Sequence, residues 1–194
     1  MQPTTSILMC GVGGQGILLA SEITARAAIE AGFCIKTNEV HGMAQRGGSV
    51  VACVRFGSEV HSPLIEPGSA SILLALEPVE ALRCHQYLSP EGTAVVSTQQ
   101  VIPITVSSGA AQYPDIESAL PGVFPRLRLL DAPAMAAELG EPRAANLVLL
   151  GGIAANLPQI PGEAWNKAIT ACVKPKSLEV NLKAFEAGFA ACAH

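Results

Sequence analysis

Charge is the scarcest property of this sequence. Of its 194 residues only 14% are Asp, Glu, Lys or Arg, where roughly 25% is ordinary for a soluble domain. Because interface cores are depleted in charge, the shortfall predicts that a sizeable protein partner covers part of the surface. The net charge of −4 includes no basic cluster, which excludes the electrostatic footprint of nucleic acid binding. No apolar run reaches the length of about 18 residues needed to cross a bilayer. The Met1–Ser6 start has neither the basic segment nor the long apolar stretch of a secretory signal, so the expectation is a cytoplasmic chain with no membrane partner.

Metal-ligand spacing is missing too. The 6 cysteines, Cys10, Cys34, Cys53, Cys84, Cys172 and Cys192, form no C-x-x-C pair, so neither zinc nor an iron–sulfur cluster finds its usual ligands. No metal site is expected, and the cysteines read as small hydrophobes. No Gly-Lys-Ser or Gly-Lys-Thr is present to make a P-loop. At 194 residues the chain is bounded to one domain spanning 1–194.

What is present is an α/β rhythm. The apolar run Ser6–Cys10 reads as a buried strand, followed by a glycine turn and a helix in which Ile17, Leu18, Ile23, Ala27 and Ala28 recur at helical spacing before Gly32. Phe33–Thr37 reads as a second strand. A polar loop then runs from Asn38 to Gly48 into an apolar strand, Ser49–Phe56, with Gly57-Ser58 as the turn of a β-hairpin. Ser71–Glu77 predicts another strand, and Pro78 suits the first turn of the helix after it. Strand candidates follow at 93–98 and 102–106, the second demoted to an edge or a bend by Pro103. Leu127–Ala132 reads as the last central strand, and the remainder is helical. The predicted fold is α/β, an open and mainly parallel Rossmann-like sheet with helices on both faces, a β-hairpin insertion and a helical C-terminal part. Its ligand crevice should lie beyond the carboxyl ends of the strands.

Two motifs fall there. In "GVGGQG", Gly11, Gly13 and Gly16 have the spacing of a dinucleotide-binding turn, with Gly14 and Gln15 between them. The acid that holds ribose hydroxyls at the end of the second strand is out of register: that strand ends in Lys36-Thr37, with Glu39 two residues on. Three readings stay open at this point: a dinucleotide site, a turn that only packs helix on sheet, and a turn that meets another ligand or a partner subunit. The second motif, "NEVHGMAQRGGSV", gathers Glu39, His41, Gln45 and Arg46 beside Gly42, Gly47 and Gly48. The guanidinium fork of Arg46 suits a carboxylate or phosphate, and the glycines let a ligand or another chain approach the backbone.

Together, "GVGGQGILLASEI" and "NEVHGMAQRGGSVVACVRFG" resemble the gamma-type subunit of 2-oxoacid:ferredoxin oxidoreductases, with the strongest likeness to the beta subunit of the indolepyruvate type. The resemblance continues through "SPLIEPGSASILLALEPVEALR", "AANLVLLGGIAANLP" and "VNLKAFEAGF", and weakens between about Gln99 and Pro142. Ser71 stands where the family pattern has an acid. The resemblance implies a complex in which thiamine diphosphate adds to the carbonyl of an arylpyruvate, carbon dioxide leaves, electrons pass through [4Fe-4S] clusters to ferredoxin, and coenzyme A takes the acyl group. The sequence has no Gly-Asp-Gly of a thiamine diphosphate site and no cysteine cluster. Both cofactors are therefore expected on a larger partner, with this chain binding none alone and functioning in a hetero-oligomer. Within that reading Glu39 and Arg46 are the candidate catalytic residues, facing the partner or the CoA phosphates. Gly11, Gly13, Gly14, Gln15, Gly16, Gly47 and Gly48 are the candidate cofactor-facing ones. The competing readings are a stand-alone NAD- or flavin-binding oxidoreductase and a non-catalytic assembly module.

Overall fold

The apolar run near the N-terminus is the central strand of the molecule. In the computed structural model, which describes residues 3–41, 47–110 and 112–193, it forms β1 (Thr5–Val12), buried from Ser6 to Gly11. Alternation decides its two faces: Ile7 and Met9 enter one core, Leu8 and Cys10 the other. The glycine turn then leads into α1 (Ile17–Glu30). Beyond it come β2 (Cys34–His41), β3 (Ser49–Gly57), β4 (Ala70–Ala75), α2 (Pro78–Cys84) and β5 (Leu88–Ser97). The rest of the chain is α3 (Ile104–Ser107), α4 (Ile116–Val123), β6 (Leu127–Leu130), α5 (Ala132–Glu138), α6 (Ala145–Ala154), α7 (Gly162–Cys172) and α8 (Leu178–Cys192).

The 6-stranded sheet has the order β2-β3-β1-β4-β5-β6. β1, β4, β5 and β6 pair in parallel, while β3 runs antiparallel to both β1 and β2. One core joins the sheet to α1, α5, α6, α7 and α8; the other joins it to α2 and α4. The α/β class, the mainly parallel sheet, the helices on both faces and the helical C-terminal part are as the sequence predicts.

Three local expectations are corrected. The hairpin is β2–β3, with its connection at 42–48, so Asn38–His41 are strand and the polar loop is shorter than expected. No hairpin forms at Gly57-Ser58, because both edges of β3 are already occupied by β1 and β2. The segment after it is tied back by Arg55, whose guanidinium donates to the carbonyls of Ser62 (2.8 Å) and Leu64 (2.9 Å). The strand expected at 102–106 is instead the short α3, since Val106 and Ser107 N–H both return to the Pro103 carbonyl. Leu127–Leu130 is a 4-residue edge strand and not a central one, cut short where Asp131 caps α5. Ser71 accepts a hydrogen bond from the Ser6 N–H at 3.3 Å.

Candidate functional site

The glycine turn closes on its own side chain. Gln15 Oε1 accepts from the Val12 N–H (2.8 Å), and Nε2 donates to the Leu76 carbonyl (3.0 Å) and to Gln99 Oε1 (3.3 Å). One amide thus stitches together the carboxyl ends of β1, β4 and β5, the parallel strands where α/β folds place their ligands. Gly11 is required by this arrangement, since a Cβ there would stand 2.8 Å from Gln15 Oε1 and 3.0 Å from Leu76 Cβ. Gly13 donates to the Gly48 carbonyl (2.8 Å) and accepts from the Gly47 N–H (3.5 Å), so the base of the hairpin connection rests on the turn.

Beside Gln15 lies a crevice of about 500 Å³ lined by Gly14, Gly16, Gln99, Arg143 and Asn146. Two helices start in it. The N-cap of α1 is Gly16, in the left-handed region (φ 88), and the N-cap of α6 is Ala144; neither supplies a side-chain cap, and neither helix has an acid in its first turn. The start of α6 is closed by the preceding 3-10 turn Pro142–Ala144, where the Glu141 carboxylate accepts from the Arg143 N–H at 3.3 Å and the Ala145 N–H returns to the Pro142 carbonyl, so it is the start of α1 that faces the crevice without a protein carboxylate. Asn146, 5% exposed, presses its amide on Gly16: Nδ2 donates to the Gly16 carbonyl at 3.4 Å. Its Oδ1 is buried with no hydrogen-bond partner among the described residues. Such a group is costly to leave unpaired.

A buried acidic network supports the same end of the sheet from the opposite face. Glu77, 2% exposed, caps α2 by accepting from the Glu80 N–H (2.9 Å) and accepts from the Tyr113 hydroxyl. Glu80, 6% exposed, accepts from the Ser49 hydroxyl and pairs with Arg83 at 3.3 Å. Since Ser49 opens β3, these contacts fix the return of the hairpin connection. Burial first, then the Glu77 carboxylate, hold the Tyr113 phenol protonated well above its usual range. With the folded value above the unfolded one of about 10, this contribution is complete below pH ~10 and is lost as pH rises further. Tyr113→Phe is expected to cost about 1 kcal/mol near neutrality and to flatten the alkaline decline. Urea unfolding at about pH 8 and about pH 11 checks both; a decline as steep as that of the parent chain would contradict the assignment.

Cys10 and Cys84 are a buried pair in the same layer. The Cys10 thiol donates to Cys84, and this bond, then burial, raises Cys10 and keeps it protonated. Cys10 is fully buried and does not open on the turn. Cys34 is exposed and Cys172 half-buried, so not every cysteine is the buried hydrophobe expected.

The structure gathers Gly11, Gly13, Gly14, Gln15, Gly16, Gly47 and Gly48 into one rim. Glu39 is exposed on the edge strand opposite Ala52, in a separate groove with Leu18, Glu22 and Thr37 across α1. Arg46, Gln45 and Gly42 lie outside the described residues. Gln15 also lines the crevice, with its amide held by three protein groups. Asn146, Arg143 and the Glu77–Tyr113 pair escape sequence reasoning. The available signals are a lone Asn at the head of an otherwise apolar helix and a Glu directly before the Pro that opens another.

The chain as a whole is similar to known proteins. The chain is 40% identical over 192 residues to indolepyruvate oxidoreductase subunit IorB of Pyrococcus horikoshii, covering 94% of this chain and 93% of that one. It is 35% identical over 193 residues to the subunit of the same name from Methanothermobacter thermautotrophicus, covering 97% of each. The crystal structure of the keto/oxoacid ferredoxin oxidoreductase gamma subunit from Geobacter sulfurreducens superposes with a TM-score of 0.73 at 25% identity, covering 97% of this chain and 98% of that one. With the model for pyruvate ferredoxin/flavodoxin oxidoreductase matching residues 6–191, the chain belongs to that family, as its glycine turn and hairpin motifs anticipate.

Proposed function

We propose that this chain is the small subunit of an indolepyruvate-type ferredoxin oxidoreductase, which oxidatively decarboxylates an arylpyruvate to an acyl-CoA and passes the electrons to ferredoxin. The observation that carries this reading is 40% identity, over nearly the whole of both chains, to a subunit named for indolepyruvate oxidation. Thiamine diphosphate and the [4Fe-4S] clusters belong to a larger partner in this reading. Among the described residues no group of 3 or more His, Cys, Asp or Glu is arranged to hold a metal, so no step is assigned to a cluster here. Coenzyme A fits better: the uncapped start of α1, with Arg143, suits its phosphates, and when bound it supplies the thiol that accepts the acyl group.

The role of this chain is to close the acyl-acceptor side of the active centre. Gly13, Gly47 and Gly48 form the rim, Arg46 in the hairpin connection engages the acceptor phosphates, and Glu39 on the edge strand faces the partner. Co-expression with a thiamine diphosphate and iron–sulfur subunit tests the reading through arylpyruvate- and CoA-dependent ferredoxin reduction. Turnover is expected only when both chains are present. Arg46→Ala should raise the KM for CoA about tenfold with subunit association intact. Full turnover by the large subunit alone, or flavin or NAD held tightly by this chain in isolation, would overturn it. Association lost by Arg46→Ala with CoA dependence unchanged would make the chain an assembly module.

A further inference from the structure

We infer that Glu80, in the first turn of α2, is a positioning residue for the rim: through the Ser49 hydroxyl it holds Gly48 against Gly13. The inference rests on the proposed function, which makes Gly13 and Gly48 part of the acyl-acceptor side of the active centre.

The rim contact has little of its own to fix it. Gly13, Gly14, Gly47 and Gly48 bring no side chains to it, and glycine has the least restricted backbone of any residue. Two backbone hydrogen bonds close it: the Gly13 N–H donates to the Gly48 carbonyl at 2.8 Å, and the Gly47 N–H reaches the Gly13 carbonyl at a long 3.5 Å. Ser49 is the next residue along. It stands opposite Val12 at the last step of the β1–β3 pairing, and its hydroxyl donates to Glu80 Oε2. A hydrogen bond to a carboxylate is about twice as strong as a neutral one, and this one acts on the residue adjoining Gly48.

Helix capping does not account for the bond. Glu77 already caps α2: its Oε2 accepts from the Glu80 N–H, and its Oε1 accepts from the Tyr113 hydroxyl. The Glu80 side chain is not used in that cap and is nonetheless buried, with Oε1 on Arg83 and Oε2 on Ser49. Burying a carboxylate is costly unless its oxygens are held. Arg83 is largely exposed and three residues away on the same helix, a pairing that surface side chains make equally well. Ser49, 31 residues away in sequence, is the partner that requires the carboxylate to be inside.

Amide hydrogen exchange of the full chain, read by NMR, tests the positioning without reference to the reaction. In Ser49→Ala the Gly13 amide should exchange about tenfold faster, as for loss of a hydrogen bond to a charged group. Ser49→Thr keeps the hydroxyl and should restore the parental rate. Glu80→Gln should raise the rate by a smaller factor, and adding it to Ser49→Ala should change nothing further, since the two act through one bond. Tyr113→Phe is the control: it cuts the other long-range contact of the same helix start but leaves Ser49 and Glu80 joined, so the Gly13 rate should not move. In the reconstituted complex Ser49→Ala should raise the KM for CoA about threefold with kcat retained, the mark of a competent rim populated about a third of the time. An unchanged Gly13 rate in Ser49→Ala, an equal rise in Tyr113→Phe, no restoration by Ser49→Thr, or a raised rate with the KM for CoA unmoved would overturn the inference. The two readings fail separately. A parent complex that oxidises arylpyruvate, with a Gly13 rate that ignores Ser49→Ala, keeps the proposed function and removes the positioning role. A Gly13 rate that responds as expected, in a chain that supports no arylpyruvate oxidation, removes the function and leaves Glu80 as the residue that sets the rim.

Discussion

Gly188→Ala is expected to destabilise the chain by about 3 kcal/mol, the upper part of the range for overpacking a filled core. An ordinary Cβ at position 188 would overlap the Val148 carbonyl oxygen and stand 2.6 Å from the Val148 carbonyl carbon. At Gly151, one turn further along α6, it would overlap the Phe185 carbonyl oxygen and stand 2.7 Å from the Phe189 nitrogen. The two glycines therefore let α6 and α8 touch backbone to backbone. What obstructs the methyl is main chain inside regular helices, so no side-chain rotation relieves it and one helix must withdraw. Withdrawal opens voids around α6, which is buried from Asn146 to Ala154 and fills the space between the sheet and α8. Folded domains hold only about 5–15 kcal/mol in total, so a loss of this size is a large share. Gly162→Ala is the control: a Cβ there meets nothing within 4 Å, and a change within about 0.5 kcal/mol is expected. Urea midpoints of the parent and both variants measure the difference. Should Gly188→Ala move the midpoint no more than Gly162→Ala, the helices do not approach as closely as described.

The same helices show why parts of this fold were readable from sequence and others were not. The strand, glycine turn and helix at the N-terminus were legible because each is decided locally, by an apolar run, by Gly16 with its left-handed φ, and by helical spacing up to Gly32. Order within the sheet was not. That β3 would slip between β1 and β2 depends on which edge of β1 is vacant, and its own residues, apolar at nearly every position, suit either direction of pairing. Length misled at Leu127–Leu130, where an apolar run looked central but lies at the edge beyond β5.

The site divides the same way. Gly13 and Gly48, 35 positions apart in sequence, were both marked as unusual, and the structure joins them by a hydrogen bond of 2.8 Å. The structural use of the Gln15 amide was not legible, because its partners Leu76 and Gln99 stand 61 and 84 residues away and nothing local reveals them. Asn146 is 130 residues from Gly16. In sequence it is one polar residue beginning an apolar helix; only the packing of α6 beside α1 turns it into the wall of a crevice.

Gly16→Ala is expected to cost about 2–3 kcal/mol through two separable effects. The first is the backbone: φ is 88 at Gly16, where an L side chain costs about 1–2 kcal/mol. The second is the collision of the new methyl with Asn146 Nδ2, which pushes the amide from the head of α1 and breaks its bond to the Gly16 carbonyl. Gly14→Ala isolates the first effect, since φ there is 105 but a Cβ meets nothing within 4 Å. It should lose about 1–2 kcal/mol. The double variant Gly16→Ala with Asn146→Ala isolates the second: removing the amide relieves the collision but not the backbone cost, so stability should return to near that of Gly14→Ala. The two sites touch, and a coupling of about 1 kcal/mol is what contact residues give. Additive stability losses at Gly16 and Asn146 would mean that the two do not meet.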